Sequence, residues 1–176
     1  MAGFPRALIV WALLLSVAVL PAAAQDTPGD QPPFLVDLTK KVVLDPTTWT
    51  PAGALYTSMR LDWNSSQPLF RSGYVEDNAR YTINGLPHDM PVDYSEGNRR
   101  ILTDALAVLP MSMLHNATNR AFERTLINRF PAHPKLIRTL GWIERVSFAS
   151  YVSTRLSSPH FRQWQRNQEL ASRHAN

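Results

Sequence analysis

The sequence contains no cysteine, so no disulfide and no thiolate metal site can hold this chain together, and no cysteine is there to carry a lipid anchor. Lysine is almost missing as well. Lys40, Lys41 and Lys135 are the only lysines among 18 basic residues, a bias that the base composition of a genome can produce by itself. The short motifs that declare a reaction are absent too: there is no Gly-x-Ser-x-Gly nucleophile elbow and no His-Glu-x-x-His ligand pair. Long apolar runs are missing beyond the N-terminus, where residues 7–20 carry no charge.

That run follows Arg6 and ends at Pro21 and Ala22-Ala23-Ala24, the order of a secretory signal peptide with an A-x-A cleavage pattern. Its 14 residues would span about 21 Å as a helix, short of the roughly 30 Å of a bilayer core. The expectation is a signal peptide over 1–24, cleaved before Gln25, with an uncleaved anchor as the competing reading. Export then follows, to the periplasm or the exterior. What remains has 17 basic and 14 acidic residues, a net charge of +3 over 152 residues, enough chain for one domain with its own core. So modest a charge on an exported chain argues against a nucleic-acid partner.

Residues 25–33 hold three prolines, a glycine and no large apolar group, and read as a flexible linker. Residues 34–44 have strand-like content without alternation, which predicts an extended arm, so 25–49 is linker and arm and 50–176 is the helical domain. Thr50 and Pro51 have the character of a cap and a first helical residue, followed by Leu55, Tyr56, Met59 and Trp63 at helical spacing. Pro68 and Gly73 end this helix, and Gly73, Gly85, Pro87 and Pro91 mark a long irregular connection over 73–94, of a length that is usually functional or mobile. Asp93 with Glu96 is a capping box for a second helix, which Pro110 kinks or divides into 94–109 and 111–130. Pro134 opens a third helix over 135–156, apolar around most of its circumference and therefore expected at the centre, and Ser158 and Pro159 cap a fourth over 160–174. The fold class is all-α: a compact bundle of four to five helices.

Four residues stand out as candidates for chemistry. Asp62 shares the apolar face of Leu55 and Met59, where a carboxylate needs a partner, either an ion pair to another helix or a site. Glu76 lies in the long loop, and Glu144 falls inward from the spacing of Ile137 and Phe148. His115 completes the set; it shares a stripe with Asp104 but lies three turns away, about 16 Å. Histidines 88, 133, 160 and 174 fall in loops or at helix ends. Asp62, Glu76, His115 and Glu144 around the 73–94 loop would make the site of a small hydrolase, since triads assemble in space rather than in sequence. Ala121-Phe122-Glu123-Arg124 and Trp142-Ile143-Glu144-Arg145 echo each other, but neither Glu has the Glu-x-x-His partner of a di-iron bundle, so interhelical Glu–Arg pairs are expected and no metal or cofactor.

Three further readings concern surfaces. From Arg155 onward the chain carries four arginines and one Glu, so Phe161, Arg162, Trp164 and Arg166 are candidates for contact with an anionic membrane surface. An integral membrane protein would insert residues 101–114, interrupted by Asp104 and Pro110. Asn64-Ser65-Ser66 and Asn116-Ala117-Thr118 match the glycosylation sequon.

The loop Gly73-Tyr74-Val75-Glu76-Asp77-Asn78-Ala79-Arg80-Tyr81-Thr82-Ile83-Asn84-Gly85-Leu86-Pro87 resembles a pattern in a family of small bacterial envelope proteins. The likeness extends from about residue 44 to 171 through Trp142-Ile143-Glu144-Arg145 and His160-Phe161-Arg162-Gln163. It implies a helical envelope protein and supplies no catalytic residue; an anionic membrane surface or an envelope protein is the expected partner. The residues themselves point to a non-enzymatic binding or structural role, with Glu76 and Asn78 beside Arg80 placed to bond the loop's own backbone.

Overall fold

The computed structural model describes residues 34–174; the expected signal peptide over 1–24 and the linker over 25–33 lie outside them. The all-α expectation holds. The helices are α1 (Phe34–Val43), α2 (Pro46–Arg71), α3 (Tyr94–Leu106), α4 (Leu109–Arg129) and α5 (Pro134–His174). The only β-type pairings among the described residues are two isolated bridges, Glu76 with Asp89 and Thr82 with Pro91. In place of a compact bundle of four to five helices, three long ones form the frame: α2, α4 and α5, of 26, 21 and 41 residues. The shorter α1 and α3 flank them.

The expected extended arm is helical. Asp37 and Lys41 pair at 2.9 Å one turn apart, and Val42 is buried beneath. The end of α1 is closed by the next helix: the Thr48 hydroxyl donates to the Val42 carbonyl at 2.7 Å and the Trp49 indole to that of Val43 at 2.7 Å, which satisfies two carbonyls that a helix end leaves open. Consequently α2 starts earlier than Thr50. Asp45 is its N-cap, accepting from the Thr47 N–H, with Pro46 at the first position and Pro51 inside the helix.

At its other end α2 runs past Pro68 to Arg71 and stops at Gly73, whose φ of 92° is open to glycine alone at little cost. The Gly73 N–H donates to the Phe70 carbonyl at 3.1 Å and the Tyr74 N–H to that of Leu69 at 3.2 Å, a paired left-handed cap. Asp93 caps α3 as expected, accepting from the Ser95 and Glu96 N–H groups. Pro110 divides the next segment, but the break falls after Leu106, leaving the proline in the first turn of α4 where its missing N–H costs nothing.

Pro159 does not start a helix; it lies inside α5. Ser158 turns its hydroxyl back to the Thr154 carbonyl at 2.6 Å instead of capping. The first half of α5 is not central either. Leu136, Leu140, Ile143 and Tyr151 are exposed, because α4 covers only one side of it.

Side-chain pairs fix the helix directions. Asp45 meets Arg145, Asp62 meets His160, and Ser66 meets Asn167, so α2 and α5 run parallel along nearly the whole of α2. Thr48, Ala52, Leu55, Met59, Asp62, Ser66 and Leu69 step along α2 at alternating four- and three-residue intervals, the spacing of a coiled-coil seam. By contrast, α4 is antiparallel to both: Arg120 reaches Asp45 and Asn116 reaches Thr48, while His115 stacks on Phe148 and Glu123 lies over Gly141. The core gathers Leu55, Met59 and Trp63 of α2, Tyr81 and Val92 of the connection, and Ile101 of α3. Trp63 lies against Gly97, where any Cβ would collide with the indole.

Candidate functional site

Two polar features lie on the α2–α5 axis, at opposite ends. The first is a cleft of about 520 Å³ bounded by α2, the connection and the second half of α5. The second is a buried ionic cluster where α4 crosses α2 and α5.

The cleft is made by the seam itself. Asp62 and Ser66 occupy seam positions of α2 where an apolar side chain would close the gap, and α5 answers with His160 and Asn167. The His160 Nδ1 lies 3.0 Å from the Asp62 Oδ2. The Asn167 amide, 2 % exposed, donates to the hydroxyls of Ser65 at 3.0 Å and Ser66 at 2.8 Å and to Asp62 at 3.3 Å, and accepts from Gln163 at 3.0 Å. These bonds hold the polar floor rigid. Aromatic groups form the remaining wall: the Trp63 ring centroid is 5.6 Å from that of Phe70 and 5.8 Å from that of Tyr81, both tilted.

The connection over residues 72–93 is the cleft's third side, and it is bolted down. Arg80 pairs with Asp104 at 2.6 Å, the Tyr81 hydroxyl donates to the same carboxylate at 2.9 Å, and Arg100 donates to the Arg80 carbonyl at 2.6 Å. Burial, with Asp104 beside it, pushes the Tyr81 phenol well above its ordinary value, so it is a donor at any physiological pH. Within the segment, Glu76 accepts from the Asn78 N–H at 2.8 Å and Asn78 from the Arg80 N–H at 3.1 Å, as the loop's sequence suggests. Glu76 is the electrostatic oddity. Burial raises its pKa, the Asn78 N–H lowers it only in part, and the carboxylates of Asp62 and Asp77 push it up further. No Lys or Arg lines the cleft to offset them.

The buried cluster centres on Arg145, 2 % exposed, whose guanidinium meets the Glu123 carboxylate at 3.0 Å, the Asn119 carbonyl oxygen, and Asp45 at 3.1 Å. Arg120 meets the same Asp45 oxygen, Oδ2, at 2.8 Å, and Thr47 takes the other. Asn116 ties Thr47 and Thr48 at 2.9 and 2.7 Å. Gly141 makes room for all this: a Cβ there would come within 2.8 Å of the Glu123 carboxylate. For Asp45, burial raises the pKa, but the Thr47 hydroxyl and N–H and the Arg120 guanidinium outweigh it, and the net shift is downward. Every charge here is answered by another, which is the mark of a structural cluster.

The structure therefore splits the four-residue hydrolase set. Asp62 and Glu76 line the cleft; His115 and Glu144 do not. Those two pair with each other at 3.0 Å, with the imidazole stacked on Phe148 at 3.6 Å. Glu144 precedes His160 by sixteen positions on one continuous helix, about 24 Å along its axis. Nor does Glu144 point inward: its side chain is 48 % exposed, and Arg145, one residue on, takes the inner position. The expected interhelical Glu–Arg pair exists as Glu123 with Arg145.

His160 and Asn167 are the residues that sequence reading missed as site residues. Their trace was there: with Val152 and Leu156 they repeat at four- and seven-residue steps along one face, but a helix start assigned at Pro159 hid it. Among the other candidates, Phe161 and Trp164 are half-buried while Arg162 and Arg166 are exposed. Asn116, with 1 % exposure and both partners inside the cluster, is no glycan acceptor in the folded chain, whereas Asn64 accepts from the Tyr94 hydroxyl in an exposed setting. Among the described residues no group of three or more His, Cys, Asp or Glu could hold a metal ion. Residues 101–114 are divided between α3 and α4, and among the described residues no helix is long and apolar enough to cross a membrane. Compared with known proteins, the chain matches no family model, no curated protein and no solved structure.

Proposed function

We propose that the chain is an exported, non-enzymatic helical protein that binds a small ligand in the cleft between α2, α5 and the connection. The observation that carries this reading is the cleft itself: a cavity of about 520 Å³ whose polar floor, Asp62, His160 and Asn167, is fixed by reciprocal bonds on two helices. Sites for small molecules have this size and this mixture of apolar wall and few fixed polar groups. The leader-like residues 1–24 and the envelope-type loop pattern support a place outside the cytoplasm.

Thermal-shift measurements on the purified protein against a panel of amines, saccharides and short peptides test the reading, repeated on Gln163→Trp, which fills the cleft at its rim. A ligand that raises the melting temperature of the wild type and not of the variant supports it. No stabilising ligand, or a shift that the filled variant keeps, contradicts it.

A second surface has its own observation. Arg155, Arg162, Arg166 and Arg173 lie at offsets of seven, eleven and eighteen residues, which a helix places on one stripe, and all four are exposed. This stripe is proposed to rest on an anionic membrane surface or on an acidic envelope protein, whereas the half-buried Phe161 and Trp164, six and nine residues after Arg155, fall on the other side of the helix. Co-sedimentation with anionic vesicles at low salt is expected; absence of binding there rules out the membrane contact.

A further inference from the structure

We infer that the cleft is built for a small organic cation, an ammonium group carried on an apolar or aromatic body. The inference rests on the reading of the cleft as a ligand site and adds the charge of what enters it.

Three acidic residues line the cleft, Asp62, Glu76 and Asp77, and no Lys or Arg accompanies them. Two of the three have a side-chain partner. Asp62 faces His160 at 3.0 Å and Asp77 faces His88 at 2.7 Å. Glu76 has only backbone N–H groups, and the charges that act on it are the like charges of its two neighbours. A half-buried carboxylate in that position is held at a cost that a positive group in the cleft would remove. A neutral polyol would find hydrogen bonds here but leave that cost in place. An anion would add to it.

The walls select the same chemistry. The tilted rings of Trp63, Phe70 and Tyr81, of which Trp63 and Tyr81 belong to the core, give the cleft an apolar aromatic lining of fixed orientation, and an aromatic environment favours an ammonium more strongly once water is excluded. Because the connection is fastened through Arg80 and Tyr81 to Asp104, the Glu76 carboxylate is presented to the cleft before any ligand arrives, so little ordering entropy is lost on binding.

Isothermal titration of the full chain with benzyltrimethylammonium, benzyl alcohol and benzoate tests the charge while keeping the aromatic body constant. The quaternary ammonium cannot titrate, so a fall in its affinity on acidification reports a group of the protein, and disappearance of that fall in Glu76→Gln assigns it to Glu76 rather than to His160, which also lines the cleft. It is expected to bind at least about tenfold more tightly than the alcohol, to lose about tenfold in Glu76→Gln, and to lose affinity as Glu76 takes up a proton. Circular dichroism and melting of Glu76→Gln check that the variant is folded. The inference is overturned if the alcohol or benzoate binds as tightly as the cation, if Glu76→Gln leaves its affinity unchanged, or if the cation shows no binding up to about 10 mM. Neutral binding that Gln163→Trp abolishes would remove the cation and leave the cleft as a ligand site. Failure of all three probes and of the wider panel would remove both.

Discussion

Gly97 and Arg145 show how single positions fix this architecture. Gly97 has the Trp63 indole where a side chain would be, and Trp63 is packed against Phe70 and Tyr81, so neither partner can retreat. Gly97→Ala is expected to destabilise the fold by about 1–3 kcal/mol in urea unfolding. Gly53→Ala in exposed α2, with nothing within 4 Å, should stabilise it by a few tenths to about 1 kcal/mol. Equal effects at the two sites would refute the close approach. Arg145→Ala leaves Glu123 with only the 3.9 Å contact to Arg120, and a loss of about 3–5 kcal/mol is expected, part of it recovered by adding Glu123→Gln. Sequence reading identified the Glu–Arg pairing but turned Glu144 inward. One residue is a 100° rotation on a helix, and the weak apolar pattern of residues 134–148 does not resolve a single step.

The connection between α2 and α3 is the element on which the cleft depends. It has no helix longer than the three residues of Ala79–Tyr81, and its order comes from Asp104, which accepts from both Arg80 and Tyr81. Asp104→Asn should accelerate amide hydrogen exchange across residues 76–92 well before it affects α2 or α5; uniform acceleration would mean that the segment has no separate anchor. How much of the elements could be read in advance follows from what marks them. Asp93 and Gly73 are local signals, a side-chain cap and a left-handed residue, and both were legible. Pro159 and residues 34–44 misled for the opposite reason. A proline inside α5 is tolerated because the long packing of α5 on α2 outweighs one lost bond, and α1 is held by carbonyl caps from Thr48 and Trp49, contacts that no local pattern announces. The cleft was half legible: Asp62 and Glu76 carried visible signs, His160 and Asn167 only a register hidden by the assumed helix start.

For the whole molecule, two carboxylates respond to pH in opposite directions. Asp45 has its pKa lowered on folding, so its contribution to stability is complete above the unfolded value near 3.8 and is lost as pH falls through the folded value. Glu76 has its pKa raised, so stability is greatest below the unfolded value near 4.5 and declines as pH rises through the folded one. Glu76→Gln is therefore expected to melt above the wild type at pH 7, with the gap closing on acidification; a variant that melts lower at pH 7 would show that Glu76 is held by contacts the carboxamide cannot replace. A site that gives up stability for an unanswered charge is what a binding cleft for a cation requires. The most direct test follows the amide and indole resonances of the isotopically labelled protein during titration with benzyltrimethylammonium. The account predicts shifts confined to the Trp63 indole, the Asn167 side-chain amide and the backbone of residues 74–78. Shifts along the arginine stripe of α5 in their place, or none anywhere, would contradict it.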